Sequence, residues 1–452
     1  MEDFAVEFHA KRVNRRVKNL KKNFGIFFTP SEVVDFMVNL IDEESLDKDN
    51  LKILEPACGI CQFLYGIRKN KNHIFTLARR KVGVEINDEI VDYIYKNNLN
   101  RGIEIIHHDY LLWETDERFD LIIGNPPYGI PSLSEHYAIK VDDGTKRIYK
   151  RIYETWYGKY NLYGAFVEKS VKLLKEGGQL IFIIPATFMI LDEFKKLRKF
   201  LARNGKTEII YMGSGIFKPE ADITTVVLKF TKSSADRNKL ILCDYKDEKI
   251  KLLSKNDCWE GDVILFSTDF SKMLDEVCSF RIDDIYSIRI SPRTPEIKNN
   301  PNVIKCEKSQ EMDNLLPILN GRNLKVGMVI YEPLTGYWIE KEKKTLLREF
   351  FDKPHIVVGL GFRGDGRLAS AYDYKAYPWM GDVYHFIRKR ALTGAKFDLM
   401  DVDVVSFLNS EIIKRYVKDV FRDITYHFNI AQLKLLPLPT KGELTGLKGV
   451  LL

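Results

Sequence analysis

Four polar side chains end or follow four successive apolar runs within the first 125 residues of the chain. Glu55 ends "KILE", Glu85 ends "VGVE", Asp109 follows "IEIIHH" and Asn125 follows "DLIIG". If each run is a parallel strand, the four groups meet at one edge of a sheet, where α/β proteins bind ligands. Helix N-caps explain one or two acidic residues at such positions. Four in succession favour one ligand site that crosses the edge.

The spacing of glycine in the first turn bears on the kind of ligand. A carboxylate at the end of a second strand is where nucleoside-binding folds hold ribose hydroxyls, so Glu85 indicates a nucleoside. The turn "EPACGICQF" has a single glycine, Gly59, and lacks the G-x-G-x-x-G that the pyrophosphate of NAD or FAD requires. S-adenosylmethionine fits better, with its ribose at Glu85, its adenine amine near Asp109 and its methionine portion over residues 55–61.

The fourth run leads into "LIIGNPPYGI", residues 121–130, which suits an elbow that holds a planar amine. An exocyclic aromatic amine is a poor nucleophile because its lone pair is delocalised into the ring. The Asn125 side-chain oxygen and the Pro126 carbonyl can accept its two N–H groups, while the two prolines keep the elbow rigid. Tyr128 offers an aromatic face on which a base can stack. A plain turn after a strand is the alternative interpretation.

Strand-like and helix-like segments alternate through the first half, as expected for a doubly wound, mostly parallel α/β sheet. The last two strand-like runs are close enough to pair as a hairpin. In "FFTPSEVVDFM", we expect Thr29 to cap a helix that begins at Pro30, with Glu32 completing a capping box. The strand-like runs are "KILEP", "KVGVEI", "IEIIHHD", "FDLIIGNPP", "QLIFIIP", "TEIIYMG" and "TTVVLKF".

The bulk composition is that of a globular protein long enough for two domains. The chain has 452 residues, of which 45% are hydrophobic and 29% charged. We expect a cytoplasmic protein with no membrane partner, because the start lacks an apolar signal segment and the longest apolar run is broken by Pro185.

The net charge of +7 mildly favours polyanionic partners. Residues 11–22 hold seven basic and no acidic side chains, forming either a solvated face or a phosphate-contacting arm.

Cys58 and Cys61 form a C-x-x-C pair just after the first strand. Such a pair is redox-active when a helix N-terminus lowers the thiol pKa, although the chain has no thioredoxin-like size or layout. A zinc site is disfavoured because no second C-x-x-C or histidine pair completes it. We therefore expect no metal, and the role of the pair stays open.

The strand-end motifs described above, together with segments of the second half and in this order along the chain, resemble the γ-class adenine-N6 DNA methyltransferases. The resemblance is in particular to the TaqI type of modification enzyme from type II restriction–modification systems. The resemblance extends from about Thr29 to about Pro439. It implies a Rossmann-like, S-adenosylmethionine-dependent methyltransferase domain over residues 1–240, with an N-terminal extension over 1–27. A mixed α+β target-recognition domain is implied over 241–452. The segments that carry the resemblance include "TPSEVVDFM", "ILEPACG", "VGVEI", "FDLIIGNPPYGI", "RTPEIK", "NGRNLK", "PHIVVG" and "LPLP".

The resemblance also implies roles for single residues. An adenine flipped out of duplex DNA would meet Asn125, Pro126 and Tyr128, with Phe217 as its second aromatic face. Arg293 is the expected DNA contact. Core packing remains the alternative for Phe217, and surface or core packing the alternative for Arg293. The implied cofactor-binding residues are Thr29, Glu55, Ala57, Glu85, Ile86, Asp109, Tyr110, Asn125 and Phe166, the last as a wall for the cofactor's adenine.

The family further implies a short TCGA-like palindrome as the target, whose methylation protects DNA from a cognate restriction endonuclease that acts separately. We expect a monomer, because the second strand of a palindrome can be methylated in a separate event. Methyl transfer to RNA or to a protein glutamine is the alternative activity, since both present a planar NH₂ group. A DNA-binding modification subunit without catalysis is a third interpretation. The long second half argues against a small protein-glutamine enzyme, and the intact N-P-P-Y argues against a non-catalytic subunit.

Overall fold

The computed structural model describes residues 28–132, 138–219, 221–306, 314–362, 367–389, 397–425 and 427–451, together with His9. The basic segment 11–22, and with it nearly all of the extension 1–27, lies outside the described residues. The chain divides into two compact units, the first ending at Ile264 and the second beginning at Leu265. The boundary expected at residue 240 instead falls inside a strand of the first unit, as shown next.

One nine-stranded sheet forms the centre of the first unit. Two short strands, β5 and β6, pair with each other outside that sheet. The strands are β1 (Lys52–Pro56), β2 (Arg80–Glu85), β3 (Glu104–His107), β4 (Phe119–Gly124), β5 (Ile130–Pro131), β6 (Ala138–Ile139), β7 (Leu174–Pro185), β8 (Gly205–Gly213), β9 (Thr225–Lys232), β10 (Lys239–Lys246) and β11 (Lys249–Asn256).

The strand order of the large sheet is β11-β10-β8-β9-β7-β4-β1-β2-β3. The pairs from β3 to β7 are all parallel. Strand β9 lies antiparallel between β7 and β8, so the two last strand-like runs do pair as expected. The doubly wound α/β prediction is therefore confirmed. Strands β10 and β11 continue this sheet beyond residue 240, because β10 pairs with β8 along its inner edge.

Helices cover the faces of this sheet. They are α1 (Ser31–Asn39), α2 (Gln62–Asn70), α3 (Asn72–Leu77), α4 (Asp88–Lys96), α5 (Asp143–Ile152), α6 (Leu162–Leu173) and α7 (Lys195–Asn204), with 3-10 turns at Ala186–Met189 and Asp192–Phe194. The expected start of α1 is wrong by one residue. Pro30, not Thr29, is the N-cap, and no side chain caps this helix. The Thr29 hydroxyl is engaged elsewhere, as described below.

The second unit is a mixed α+β structure, in agreement with the sequence. A four-stranded antiparallel sheet, formed in order by Tyr286–Ile290, Val383–Arg388, His355–Phe362 and Leu368–Asp373, packs against the helix Asp401–Leu408. A three-stranded sheet, formed in order by Val303–Lys305, Tyr337–Glu340 and Leu315–Pro317, lies in the same unit. Its strands are β12 (Phe280–Arg281), β13 (Tyr286–Ile290), β14 (Val303–Lys305), β15 (Leu315–Pro317), β16 (Leu324–Lys325), β17 (Met328–Val329), β18 (Tyr337–Glu340), β19 (His355–Phe362), β20 (Leu368–Asp373), β21 (Val383–Arg388) and β22 (Pro437–Leu438). Its helices are α8 (Asp269–Val277), α9 (Ile282–Ile285), α10 (Thr294–Lys298), α11 (Asp401–Leu408), α12 (Glu411–Phe421), α13 (Ile430–Lys434) and α14 (Lys441–Leu451), with 3-10 turns at Gly321–Asn323, Lys341–Leu346 and Glu349–Asp352.

Among the described residues, no helix combines the length and apolar character needed to cross a bilayer.

The strand order reverses at β1, which pairs with β2 on one side and with β4 on the other. Ligands of doubly wound sheets bind outside the carboxyl ends of the strands at such a point. The two chains that leave this edge approach closely, since a Cβ added at Gly124 would lie 3.4 Å from the Pro56 carbonyl oxygen. The fold thus positions the turn after β1 and the elbow after β4 beside each other.

Candidate active site

A cavity opens at the carboxyl ends of β1, β2 and β4, where the strand order reverses. It brings together all nine residues expected to contact a cofactor, and Pro126 as well. The lining comprises Phe28, Thr29, Glu55, Ala57, Cys58, Gly59, Gln62, Phe63, Val84, Glu85, Ile86, Ile90, His108, Asp109, Tyr110, Asn125, Pro126, Pro127, Ile139, Lys140, Val141, Tyr149, Leu162 and Phe166. The four polar strand ends therefore share one site.

Glu55 forms part of the wall between β1 and α2. Its carboxylate is buried and accepts the backbone N–H groups of Phe63 and Leu64, at 3.2 and 2.9 Å, in the first turn of α2. Burial raises the pKa of Glu55 to about 8, although these two hydrogen bonds oppose the rise. Glu55 consequently anchors the helix that closes the turn, in addition to lining the cavity.

Glu85 fixes the turn after β1 to the end of β2. Its Oε2 accepts the Gly59 N–H at 2.8 Å, and its Oε1 accepts the N–H groups of Ile86 and Asn87 at 3.0 and 2.9 Å. Burial raises the pKa of this carboxyl, and the three hydrogen bonds counteract the rise. A carboxylate has about four lone-pair positions. One position on Oε2 therefore remains for a ligand hydroxyl.

Asp109 is held from two sides at the far end of the cavity. Its Oδ1 accepts the Leu111 N–H at 2.9 Å, and its Oδ2 accepts the hydroxyl of Tyr149 on α5. Each oxygen keeps one lone-pair position for a ligand. Burial and the neighbouring Asp109 charge raise the pKa of Tyr149, so this hydroxyl stays protonated and remains a donor.

The rings of Tyr110 and Phe166 form an apolar wall next to Asp109. Their centroids are 5.0 Å apart and the rings are tilted by 34°. The Tyr110 hydroxyl is paired with Ser170 at 2.9 Å, so this ring is fixed in place. A flat, amine-bearing heterocycle can lie against this wall with its amine at Asp109.

The elbow after β4 is oriented by a residue that lies far away in sequence. Asn125 Nδ2 donates to the Thr29 hydroxyl at 3.1 Å, and Thr29 is buried. The Thr29 carbonyl also accepts from Gln62 Nε2 at 3.2 Å, which connects the elbow to α2. Because the amide nitrogen is engaged with Thr29, the amide oxygen is the atom of Asn125 that can accept a ligand's N–H group.

Tyr128 and Phe217 lie together beside this elbow. Their ring centroids are 6.1 Å apart and the rings are inclined by 77°, an edge-to-face pair. The Tyr128 hydroxyl donates to the Ile183 carbonyl at 2.8 Å, and Phe217 is only 3% exposed. The two aromatic residues expected to enclose a base are thus adjacent, but they pack on each other and do not stand as parallel faces. A base can enter between them only if a ring moves.

The C-x-x-C pair packs inside the first unit. Cys58 and Cys61 are free thiols, both buried, and the hydrogen bond between them, together with burial, holds the pKa of Cys58 well above its usual value. A Cβ added at Gly83 of β2 would lie 2.8 Å from Cys58 Sγ and 3.3 Å from Cys61 Sγ. The thiols therefore fill the space above a glycine, and the low-pKa thiol of a redox motif is not found here.

Arg293 lies in the second unit, where it is exposed at the N-cap of α10. Its backbone N–H donates to the Glu296 carboxylate at 2.9 Å, and its side chain is exposed. No cluster of three or more His, Cys, Asp or Glu side chains suited to a metal ion occurs among the described residues.

Tyr149 and Gln62 were missed from the sequence. Tyr149 is the buried position of the basic stretch "TKRIYKRI", and a single aromatic ring among charges is the available signal. Gln62 carried no signal, because its partner is a backbone carbonyl 33 residues away in sequence.

Comparison with known proteins agrees with this geometry. Residues 18–217 match the Eco57I restriction–modification methylase family, and residues 316–438 match the TaqI-like C-terminal specificity domain. The type II methyltransferase M.TthHB8I of Thermus thermophilus is 38% identical over 429 residues, which cover 93% of each chain. The modification methylase CviBIII of Paramecium bursaria Chlorella virus NC1A is 33% identical over 41% of this chain and 44% of its own.

A solved structure shares the fold over nearly the whole chain. The nuclease-deletion mutant of the Type ISP restriction–modification enzyme LlaGI, solved in complex with a DNA substrate mimic, superposes with a TM-score of 0.58. It is 15% identical and covers 95% of this chain and 54% of that one. On the family matches and the full-length relative, this chain belongs to the type II restriction–modification DNA methyltransferases of the Eco57I and TaqI type.

Proposed function

We propose that this protein transfers the methyl group of S-adenosylmethionine to N6 of an adenine that is flipped out of duplex DNA. The observation that carries the proposal is the Asn125 side chain, oriented by Thr29 at the edge of the cavity that also holds Glu85 and Asp109. A single cavity then contains acceptors for a nucleoside cofactor and an acceptor for the amine to be methylated.

The cofactor proposal rests on the fit of the donor and acceptor groups. Glu85 has one acceptor position for a ribose hydroxyl, and Asp109 has two for an adenine amine. Tyr110 and Phe166 provide the flat wall that an adenine ring needs. When bound, S-adenosylmethionine supplies a methyl group that is electrophilic because it is attached to a sulfonium. The turn at Ala57 and Gly59, both with positive φ, brings backbone into the cavity for the methionine portion.

The target amine would be held by the elbow. The Asn125 Oδ1 and the Pro126 carbonyl accept its two N–H groups and draw the nitrogen towards tetrahedral geometry, which restores its lone pair. Their rigid placement supports the developing positive charge on the nitrogen without reorganisation. Tyr128 would stack on the base, a contact worth on the order of 1–3 kcal/mol. The proton leaves to solvent after transfer, so no strong base is required.

The second unit would select the DNA sequence. This unit contains residues 316–438, which match the specificity domain, and the exposed Arg293 also lies in this unit. A TCGA-like palindrome is the target that we propose, with methylation protecting the site from a separately acting endonuclease. The proposal assigns methyl transfer to the first unit and target reading to the second, within a monomer.

The test is to incubate the protein with methyl-labelled S-adenosylmethionine and, separately, duplex DNA, tRNA and a protein mixture, and then to digest the products and identify the labelled nucleoside or residue. We expect N6-methyladenine from DNA alone. Label on cytosine, RNA or glutamine would overturn the proposal. Protection of the methylated DNA from a TCGA-cutting nuclease would test the target.

A further inference from the structure

Helix α5, Asp143–Ile152, carries a concentration of positive charge. Lys146, Arg147, Lys150 and Arg151 lie within six residues, and the last three are exposed. They form two like-charged i, i+4 pairs, an arrangement that destabilises a helix. We call these four side chains the α5 basic face.

The α5 basic face is not neutralised by the acidic residues of the described chain. None of its four cations forms an ion pair there, whereas other surface cations of the first unit do, such as Lys69 with Asp35 at 3.1 Å. Three acidic residues lie near in sequence, and none forms an ion pair with the four cations in the described chain. Asp142 caps the helix through the N–H groups of residues 144 and 145, Asp143 lies in the first turn, and Glu154 pairs with Lys172 at 3.6 Å. A helix that retains four repelling cations is suited to a polyanion.

The α5 basic face is tied to the site on its buried side. Tyr149, the buried residue of α5, donates to Asp109 in the cavity. The strand just before the helix, β6, pairs with β5, which follows the elbow directly. The helix is therefore held beside the cavity, and the β5–β6 pair connects it to the elbow that would receive the target base.

A second pair of cations, at the start of α7, is connected to the elbow through packed aromatic rings. Lys195 Nζ lies 4.3 Å from the centre of the exposed Tyr157 ring, and Lys196 Nζ lies 5.9 Å from it. Phe194, which precedes them, stacks on Tyr163 with centroids 4.9 Å apart. Tyr163 in turn contacts Tyr128 edge-on at 6.2 Å. Two elements with exposed positive charge, α5 and α7, are thus connected to the elbow.

We propose that the α5 basic face binds the sugar–phosphate backbone of duplex DNA beside the target nucleotide. This inference rests on the proposed function, because it takes DNA as the substrate of the adjoining cavity. Phosphate contacts position a protein on the duplex without reading its sequence. The exposed Ile148 lies one turn before Arg151 on the helix surface and suits contact with a deoxyribose ring.

The experiment compares DNA binding by the wild-type chain, the triple variant Arg147→Gln/Lys150→Gln/Arg151→Gln, and a matched triple variant on the exposed edge strand β11, Lys249→Gln/Lys251→Gln/Lys255→Gln. All three are full-length proteins, and the two variants lose the same charge. Affinity for a fluorescent duplex oligonucleotide is measured by anisotropy over a range of NaCl concentrations. Thermal midpoint and S-adenosylmethionine affinity are measured in parallel, and both should match the wild type.

We expect the α5 variant to bind DNA about tenfold more weakly and its log–log salt slope to become shallower by about 2 to 3, since each lost phosphate contact removes about 0.9. The β11 variant should keep the wild-type slope. An unchanged slope in the α5 variant, or an equal change in both, would overturn the proposal. So would loss of binding to anionic phosphatidylserine vesicles with DNA binding intact, which would assign the face to a membrane surface.

This measurement is separate from the test of the proposed function. Binding does not depend on which atom receives the methyl group. If the wild type labelled cytosine, the proposal of adenine methylation would be overturned. If the α5 variant nevertheless showed weaker binding and a shallower salt slope, the proposed role of the α5 basic face would still hold.

Discussion

The Asn125 amide nitrogen donates to the Thr29 hydroxyl at 3.1 Å, across 96 residues of sequence. This contact orients the elbow after β4 through a buried residue that precedes α1. It also turns the amide oxygen of Asn125 away from Thr29, as capture of an amine requires. The contact explains why Thr29 does not cap α1.

Replacing Thr29 by Val should lower the rate of methyl transfer about fivefold, because one hydrogen bond is worth about 1 kcal/mol. Without it the amide can rotate and is no longer preorganised. Thr29→Ser, which keeps the hydroxyl, should restore most of the rate. Single-turnover rates at saturating cofactor and DNA provide the measurement. Equal rates for Val and wild type would show that Asn125 is oriented by other contacts.

Replacing Tyr149 by Phe should raise the KM for S-adenosylmethionine about three- to tenfold and leave kcat unchanged, since the lost hydrogen bond holds Asp109 and not the target amine. Tyr160→Phe is the matched control, because it removes another buried tyrosine hydroxyl, one that bonds Thr155. If both variants shift KM equally, the effect is one of general packing. A fall in kcat alone would contradict the assignment of Asp109 to the cofactor.

Cys58 and Cys61 should resist thiol reagents in the folded protein, because both are buried and both pKa values are raised. The hydrogen bond with Cys61 and burial raise the pKa of Cys58, and burial raises that of Cys61 although the same hydrogen bond lowers it. Cys258 is exposed and serves as the internal control. Labelling with a maleimide, followed by peptide mass spectrometry, should find Cys258 modified first and the pair modified only in denaturant. Rapid modification of Cys58 with loss of methyl transfer would revive a redox role.

Stability of the second unit should fall as the pH drops below about 6.5. His355 Nδ1 faces the Lys353 carbonyl at 2.7 Å, which must accept, so His355 Nε2 accepts from His385 Nδ1 at 2.8 Å. His385 Nε2 then accepts from the Ser291 hydroxyl at 2.7 Å. Both rings are buried and neutral, and burial lowers both pKa values, that of His385 strongly.

The direction of this pH dependence of stability follows from proton linkage. Below about 6.5 the unfolded chain binds protons at these histidines while the folded chain does not, so the free energy of unfolding decreases as the pH falls. The thermal midpoint of the second unit should therefore decrease from pH 7.5 to pH 5.5. His385→Asn should show a weaker dependence, and exposed His73→Gln should match the wild type. A wild-type midpoint that is constant over this range would contradict the neutral pair.

The catalytic half of the fold was predictable because its elements have strong local signals. Buried strands such as "FDLIIG" and the polar groups that follow them define the sheet edge without any long-range information. The domain boundary was not predictable in the same way. The run "KLILCDYK" reads as a strand, but nothing local shows that it pairs with β8 and so extends the first unit.

In the candidate site, too, local sequence predicts some features and not others. The strand-end residues were found from position alone, whereas the partners that orient them depend on tertiary packing. Thr29 has the local sequence of a helix cap, yet its hydroxyl serves Asn125. Phe217 was placed next to Tyr128 by resemblance, but the edge-to-face packing of the two rings comes only from the folded chain.

The most direct test of the account is the single-turnover rate of methyl transfer by Asn125→Ala, with S-adenosylmethionine affinity measured on the same preparation. Loss of a preorganised transition-state contact costs about 10²- to 10³-fold or more in rate. We predict at least that loss on an adenine-containing duplex, with cofactor affinity within about threefold of wild type, since one lost hydrogen bond costs little binding energy. Equal transfer rates for Asn125→Ala and wild type would contradict the central claim that the elbow after β4 holds the target amine.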